Sequence, residues 1–377
     1  MKVAIIHDWL LHYRGGERVL EAIAEMYPDA DIFTLFYKKG TTSAAIDRHR
    51  IIPSFLNSLP GSDKYYRWLL PLFPMAVERW DLSGYDLVIS SSHCVAKGVI
   101  VPPHAQHVCY LYTPMRYAWD QYWNYFGGKL VERLMFPFLH YLRMWDVTSS
   151  ARVDRFFAIS NSVARRAQLY YGRTSDVLPV FVDLTAFSPM DVPVEDFYLV
   201  ASALVPYKKI EVAIEACARL NRRLVVIGEG PELGRLSALA GSNVFFTGKV
   251  PLETLRKAYA TCRALLFPGE EDFGIVPLEA MAMGRPVIAF GRGGVLDTVV
   301  DGETGILYDP NSADGLVEAI RELEAGPAFS PADCQARARE FTREKFQQRF
   351  RALLAGPERP AARPLRELDS RPPELSH

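Results

Sequence analysis

Phe267-Pro268-Gly269-Glu270-Glu271-Asp272-Phe273-Gly274-Ile275-Val276-Pro277-Leu278-Glu279-Ala280 is the stretch on which the reading of this chain turns. A β-rich run ends at Phe267, a polar turn follows, and a helix is expected to begin near Gly274. The first amides of such a helix lack partners within it and carry partial positive charge. They offer a seat for an anion such as a diphosphate. Gly274 lets that anion approach the backbone closely. Glu271 falls on the loop and Glu279 about one turn inside the helix, so two acids flank one anion seat. A capped surface helix with two solvated acids is the competing reading.

The same strand–turn–helix order runs outward in both directions. Val3–Ile6 reads as a buried strand and Gly16–Tyr27 as a helix, with strands at Asp31–Phe36, Leu87–Ser90, Val108–Leu111 and Phe156–Ile159 and a helix at Asn161–Tyr171. A second series follows a proline-containing link: strand Phe197–Ala203, helix Lys209–Leu220, then strands Leu224–Ile227, Val244–Thr247, Ala264–Phe267 and Val287–Phe290. Alternating strands and helices imply α/β units on parallel sheets. A length of 377 residues favours two domains. The boundary is expected near residue 185, giving domains 1–185 and 186–335. A helix over 336–355 is expected to pack back on the first domain. The Pro-, Arg- and Glu-rich segment 356–377 is expected to be disordered.

Glu271 and Glu279 stand with seven residues between them in an E-D-F-G-I-V-P-L-E-A context. In this the sequence resembles the family-4 retaining glycosyltransferases. The resemblance implies the GT-B fold, two Rossmann-like domains facing each other across a cleft. It also implies transfer of a sugar from a nucleoside diphosphate with retained anomeric configuration. By the same resemblance Glu279 binds the donor ribose, Glu271 contacts the transferred sugar, and the amides at Gly274, Ile275 and Val276 hold the diphosphate, with Phe273 beside them as a further donor-binding residue. In Ser202-Ala203-Leu204-Val205-Pro206-Tyr207-Lys208-Lys209, Lys208 matches a phosphate-binding lysine, a point charge at a strand mouth. Ala203 stands where the family has an arginine, so Lys209, Arg116 or another residue must meet part of the phosphate charge. Gly228, in Gly228-Glu229-Gly230-Pro231, lies near the nucleotide in the family. Gly248 and Val250 belong to a segment that resembles its base-contacting loop.

The first half supplies the other wall. Arg14-Gly15-Gly16-Glu17-Arg18 opens the first helix, and by the resemblance Gly15 and Gly16 face the diphosphate from across the cleft. Tyr112-Thr113-Pro114-Met115-Arg116-Tyr117-Ala118-Trp119-Asp120 carries polar and aromatic groups that suit a sugar better than a core. Relatives often have His where Tyr112 stands, so no His role carries over to that position. Arg116 is a candidate to stabilise the leaving phosphate, and Tyr117, Asp120 and His93 are candidates for acceptor contacts. Lys97 is a further side chain that could face the cleft. The catalytic set is then Lys208, Glu271 and Arg116.

Bulk properties narrow the rest. A net charge of −1 gives no field that would recruit nucleic acid. Five scattered cysteines without ligand spacing fit reduced thiols in a cytoplasmic protein. No Asp-x-Asp metal motif is expected in the chain. Metal independence is expected, with no cofactor beyond the sugar nucleotide as substrate. The H-D-W…R-G-G-E-R and Y-T-P-M-R-Y-A-W-D segments look like bacterial O-antigen and exopolysaccharide mannosyltransferases. They suggest GDP-mannose as donor and a glycan or lipid-linked acceptor. Lys64–Trp80 and Lys129–Trp145 mix Leu, Phe and Trp with basic residues. Both fit peripheral contact with the inner membrane or burial as core, and their prolines argue against long regular helices. An epimerase-like enzyme and a non-catalytic nucleotide-sugar-binding subunit are the alternatives.

Overall fold

The computed structural model describes residues 1–116, 118–119 and 129–356, with backbone only over 129–134. Runs of β-branched and aromatic residues form two sheets. The first has seven strands: β1 (Val3–His7), β2 (Asp31–Thr34), β3 (Ile51–Pro53), β4 (Leu87–Ser92), β5 (Gln106–Leu111), β6 (Arg155–Ala158) and β7 (Ser175–Val177). Their order is β3-β2-β1-β4-β5-β6-β7. The second has six: β8 (Tyr198–Ala201), β9 (Leu224–Ile227), β10 (Val244–Gly248), β11 (Ala264–Phe267), β12 (Val287–Phe290) and β13 (Gly305–Tyr308), ordered β10-β9-β8-β11-β12-β13. Every described pairing within them is parallel. Parallel strands are covered on both faces, which explains the fully buried runs of β1, β4 and β8.

Strand order reverses between β1 and β4 in one sheet and between β8 and β11 in the other. Ligands of open α/β sheets gather beyond the carboxyl ends of the strands at such points. His7 and Ser92 end the first pair, and Ala201 and Phe267 end the second.

Seven helices matter below: α1 (Gly15–Met26), α2 (Lys129–Ser150), α3 (Asn161–Tyr171), α4 (Ile210–Arg219), α5 (Ile275–Ala282), α6 (Pro331–Ala338) and α7 (Arg343–Ala355). α1 buries Val19, Leu20, Ile23 and Ala24 on one face, and Glu17 accepts the Arg14 amide to close its first turn. α5 buries Pro277, Leu278, Ala280 and Met281. Pro277 costs it nothing, because a third-position amide has no helical acceptor. α7 lies on the first domain: Phe346 packs on Tyr110 at 5.5 Å, Phe350 on Phe157 at 5.4 Å, and Arg343 meets Glu21 at 2.9 Å.

Two sequence expectations about elements change. The segment 336–355 is not one helix, since α6 stops at Ala338 and Thr342 caps a fresh start by accepting the Lys345 amide. The stretch after Lys129 is one helix of 22 residues despite Pro137, which removes a single backbone hydrogen bond from a long ladder. Lys64–Trp80 is broken, as expected, into Ser62–Tyr65, a 3-10 turn over Tyr66–Leu72 and Phe73–Glu78. All five cysteines are free and buried.

Candidate functional site between the two sheets

α1 and α5 bring the halves together. An added Cβ on Gly15 would lie 3.2 Å from the end of the Ile275 side chain, which would have to give way, so the glycine eases this close approach of the helix starts. Beside that contact is a cavity of about 210 Å³ lined by Arg14, Gly15, Arg18, Val180, Phe181, Ile275 and Glu279. Gly274 precedes α5 with φ of 99°, a left-handed conformation that places the unpaired first amides at this wall. Glu279 is half-buried, and Tyr259 donates its hydroxyl hydrogen to Oε2 at 3.0 Å. Burial pushes the Glu279 carboxyl up to about 7, against the Tyr259 hydrogen bond and the attraction of Arg18.

Lys208 and Glu271 flank the β8/β11 reversal and are ion-paired, with only 12% and 21% of their side chains exposed. Their loops touch: a Cβ on Gly269 would come within 2.9 Å of Lys208 Cα. Gly294 donates its amide to the Glu271 carbonyl at 2.8 Å, fixing the loop from the other side. Asp272 reaches across to the first domain, pairing with Arg116 at 3.2 Å and with Arg166 of α3. Asn161 binds Asp297 through both its amide and side chain, at 2.7 and 2.6 Å.

In the first domain, Asp8 follows β1 and accepts four amides, from His93, Cys94, Val95 and Ala96, at 2.7–2.9 Å. Its Oδ2 also lies 3.0 Å from His93 Nδ1. This holds the imidazole at the β1/β4 reversal, edge-on to Trp9 at 4.5 Å. Burial lowers the His93 pKa from its usual value, against the pull of Asp8. Tyr112 donates to the Gly16 carbonyl at 2.9 Å and contacts Ser91 at 2.9 Å. The tyrosine that stands for the relatives' His therefore ties the glycine loop to β4.

The sequence candidates thus divide. Gly15, Ile275 and Glu279 line the cavity. Gly16, Gly274 and Val276 adjoin it in sequence, and Lys208, Glu271 and Arg116 lie at the facing loops. Gly228 and Gly230 pack against Ser202 and Leu204, where an added Cβ would lie 1.8 and 2.2 Å from backbone oxygens. Gly248 accepts the Gly228 amide at 3.0 Å, and Val250 is half-buried nearby. Tyr117 and Asp120 lie outside the described residues.

Three expectations need correction. The Phe273 side chain is 3% exposed and packs on Phe341, because the turn buries its apolar member, so only its backbone can serve a ligand. Lys97 does not face the cleft: its ammonium is buried against Asp146 at 2.6 Å, with the Trp145 and Tyr171 rings beside it. An Asp-x-Asp sequence does occur, Asp29-Ala30-Asp31, but at the start of β2, where Asp31 accepts from Tyr85 at 2.6 Å. Among the described residues no group of three or more His, Cys, Asp or Glu could hold a metal ion.

Sequence reading missed Arg14, Arg18, Asp8, Asp272 and Tyr259. Arg14 and Arg18 had a signal in their four-residue spacing around the glycine pair, and Asp8 in its place after a strand. Tyr259 had none, because it meets Glu279 only through the packing of two helices.

Residues 192–341 match the family model described as "Glycosyl transferases group 1". A GDP-mannose-dependent alpha-(1-6)-phosphatidylinositol monomannoside mannosyltransferase of Mycolicibacterium smegmatis is 34% identical over 178 residues, 41% of this chain and 46% of that protein. The O-antigen chain mannosyltransferase C of Escherichia coli is 31% identical over 166 residues, 42% of this chain and 43% of that protein. The chain thus spans less than half the length of these curated relatives. A solved sucrose-phosphate synthase from Thermosynechococcus elongatus superposes with a TM-score of 0.69 at 20% identity, covering 94% of this chain and 98% of that one. That likeness is one of fold, the two-domain GT-B arrangement.

Proposed function

Residues 192–341 form a glycosyl transferases group 1 domain, and from that premise we propose that the chain is a retaining glycosyltransferase using a nucleoside diphosphate sugar. The observation that carries the reading is the cavity between α1 and α5, where Glu279 and the α5 start face Gly15. Glu279 takes the donor ribose, and the α5 amides take the diphosphate. As the bond from the anomeric carbon to the diphosphate breaks, negative charge grows on the leaving oxygen. Lys208, released from Glu271, and Arg116 stabilise that charge. Glu271 turns to the transferred sugar. A non-bridging phosphate oxygen accepts the acceptor hydroxyl proton, so the step needs neither a metal nor a protein base.

Mannose from GDP-mannose is the favoured donor. Two similar proteins are named mannosyltransferases, and one of them GDP-mannose-dependent. A glycan or lipid-linked acceptor of bacterial polysaccharide synthesis suits the same likeness. His93, Tyr117 and Asp120 are its contacts. Among the described residues no helix is long and apolar enough to cross a membrane. Trp68, Phe136 and Met144 stand 85%, 56% and 52% exposed, which supports peripheral contact with the cytoplasmic membrane face.

The test is incubation of the full chain with GDP-mannose and other sugar nucleotides, with lipid-linked acceptors, reading the product linkage by NMR. An α-linked product from an α-linked donor is expected. Sugar-nucleotide epimerisation without acceptor, or nucleotide binding without transfer, would replace this reading by one of its two alternatives.

A further inference from the structure

The cations around the cleft fall into two groups. Lys208 is neutralised by Glu271, and Arg116 and Arg166 both lie on Asp272. Lys209 is 52% exposed and its ammonium is 3.9 Å from Glu211. Arg14 and Arg18 differ from all of these. Neither guanidinium has an ion pair or hydrogen bond with any described residue, although Arg18 is only half-exposed. Both line the cavity.

Their positions follow from the helix. Residues four apart share a face, so Arg14 at the start of α1 and Arg18 one turn in form a single stripe beside Gly15. The one acid lining the same cavity is Glu279. It lies near Arg18 without pairing with it, and its carboxyl titrates near 7, so it does not fully offset two arginines at neutral pH. Asp183 is an ionised carboxylate that Arg18 also attracts, but it makes no ion pair with Arg18 and its oxygen accepts from the Thr185 hydroxyl at 2.6 Å. The remaining walls are Val180, Phe181 and Ile275. Arg14 is exposed and Arg18 half-buried, so screening by solvent is reduced chiefly at Arg18. A guanidinium fork fits phosphate oxygens in pairs.

We propose that Arg14 and Arg18 are the diphosphate-binding cations of this site, supplied by the first domain to a nucleotide whose ribose is held by the second. This rests on the functional reading above and adds residues to it. It answers where the charge comes from when Lys208 and Arg116 are already paired. It also makes binding a contact between domains, since the ligand joins α1 to α5.

The experiment is calorimetric titration of the full chain with GDP, UDP and ADP and with the matching nucleosides, at low and high salt. Wild type should bind one diphosphate better than its nucleoside, with an advantage that shrinks as salt rises. Arg18→Ala should lose about tenfold or more in diphosphate affinity, and Arg14→Ala/Arg18→Ala more, with nucleoside affinity unchanged. Arg18→Gln serves if the alanine variant unfolds, and unligated melting curves confirm folding. If wild type binds a diphosphate and the variants keep its full advantage over the nucleoside, the inference is overturned alone. If wild type binds no nucleoside diphosphate, the functional reading falls and takes the inference with it.

Discussion

Replacing Glu279 by Gln separates what this side chain does for folding from what it does for a ligand. Its carboxyl rises from 4.5 to about 7, chiefly through burial. The unfolded chain therefore gives up this proton at a lower pH than the folded one does. Below 4.5 both states hold it and no cost arises. The cost to the fold grows as pH rises through the window from 4.5 to about 7 and is complete above it. The full difference corresponds to about 3 kcal/mol, and solvent reaching a half-buried group reduces that to roughly 1–2 kcal/mol. Gln keeps the shape and an acceptor for Tyr259 but cannot ionise. Urea denaturation should find Glu279→Gln more stable than wild type by roughly 1–2 kcal/mol at pH 8 and indistinguishable from it at pH 4. Comparing the two proteins cancels every other titrating group. A difference that does not change with pH would refute the reasoning. The same variant should bind nucleoside diphosphates about tenfold more weakly at pH 8, because an amide offers a ribose diol fewer acceptors than a carboxylate.

Lys208→Ala should cut turnover by about a hundredfold or more; activity within threefold of wild type would remove Lys208 from the leaving-group role. Asp8→Ala strands four amides of the turn after β4 and should cost about 3–5 kcal/mol in urea denaturation. A loss under 1 kcal/mol would mean that the turn finds other acceptors. Gly228→Ala would put a Cβ 1.8 Å from the Ser202 carbonyl at φ of 141°, and should cost more than about 3 kcal/mol or prevent folding. Gly172→Ala, at φ of 65° with open space around it, should cost only about 1 kcal/mol, so similar losses would discount the steric argument.

The strand-to-helix grammar was legible because each central strand is a short apolar run closed by a turn residue. The strands left out, β3, β7 and β13, are three or four residues long, and β3 and β7 lie at the edges of their sheet. They carry too little pattern to separate from loop. Glu271 and Glu279 were legible by spacing, and Gly15 by its neighbour. The pairings that define the cleft were not, since Lys208 meets Glu271 across 63 residues and Arg166 meets Asp272 across 106. No local pattern encodes which cation is matched and which is left over. Phe273 shows the opposite error: a residue inside a functional motif whose side chain serves the core. Lys97 shows how a lysine near a strand end can turn inward when a buried aspartate awaits it.

A sugar nucleotide is expected to span α1 and α5 at the cavity beside Gly15. A crystal structure of the full chain soaked with GDP-mannose or another sugar nucleotide that binds in solution tests it most directly. Ribose hydroxyls are expected within hydrogen-bonding distance of Glu279, and phosphate oxygens between the α5 amides and the Arg14 and Arg18 guanidiniums. A bound nucleotide lying elsewhere, with this cavity empty, would contradict it.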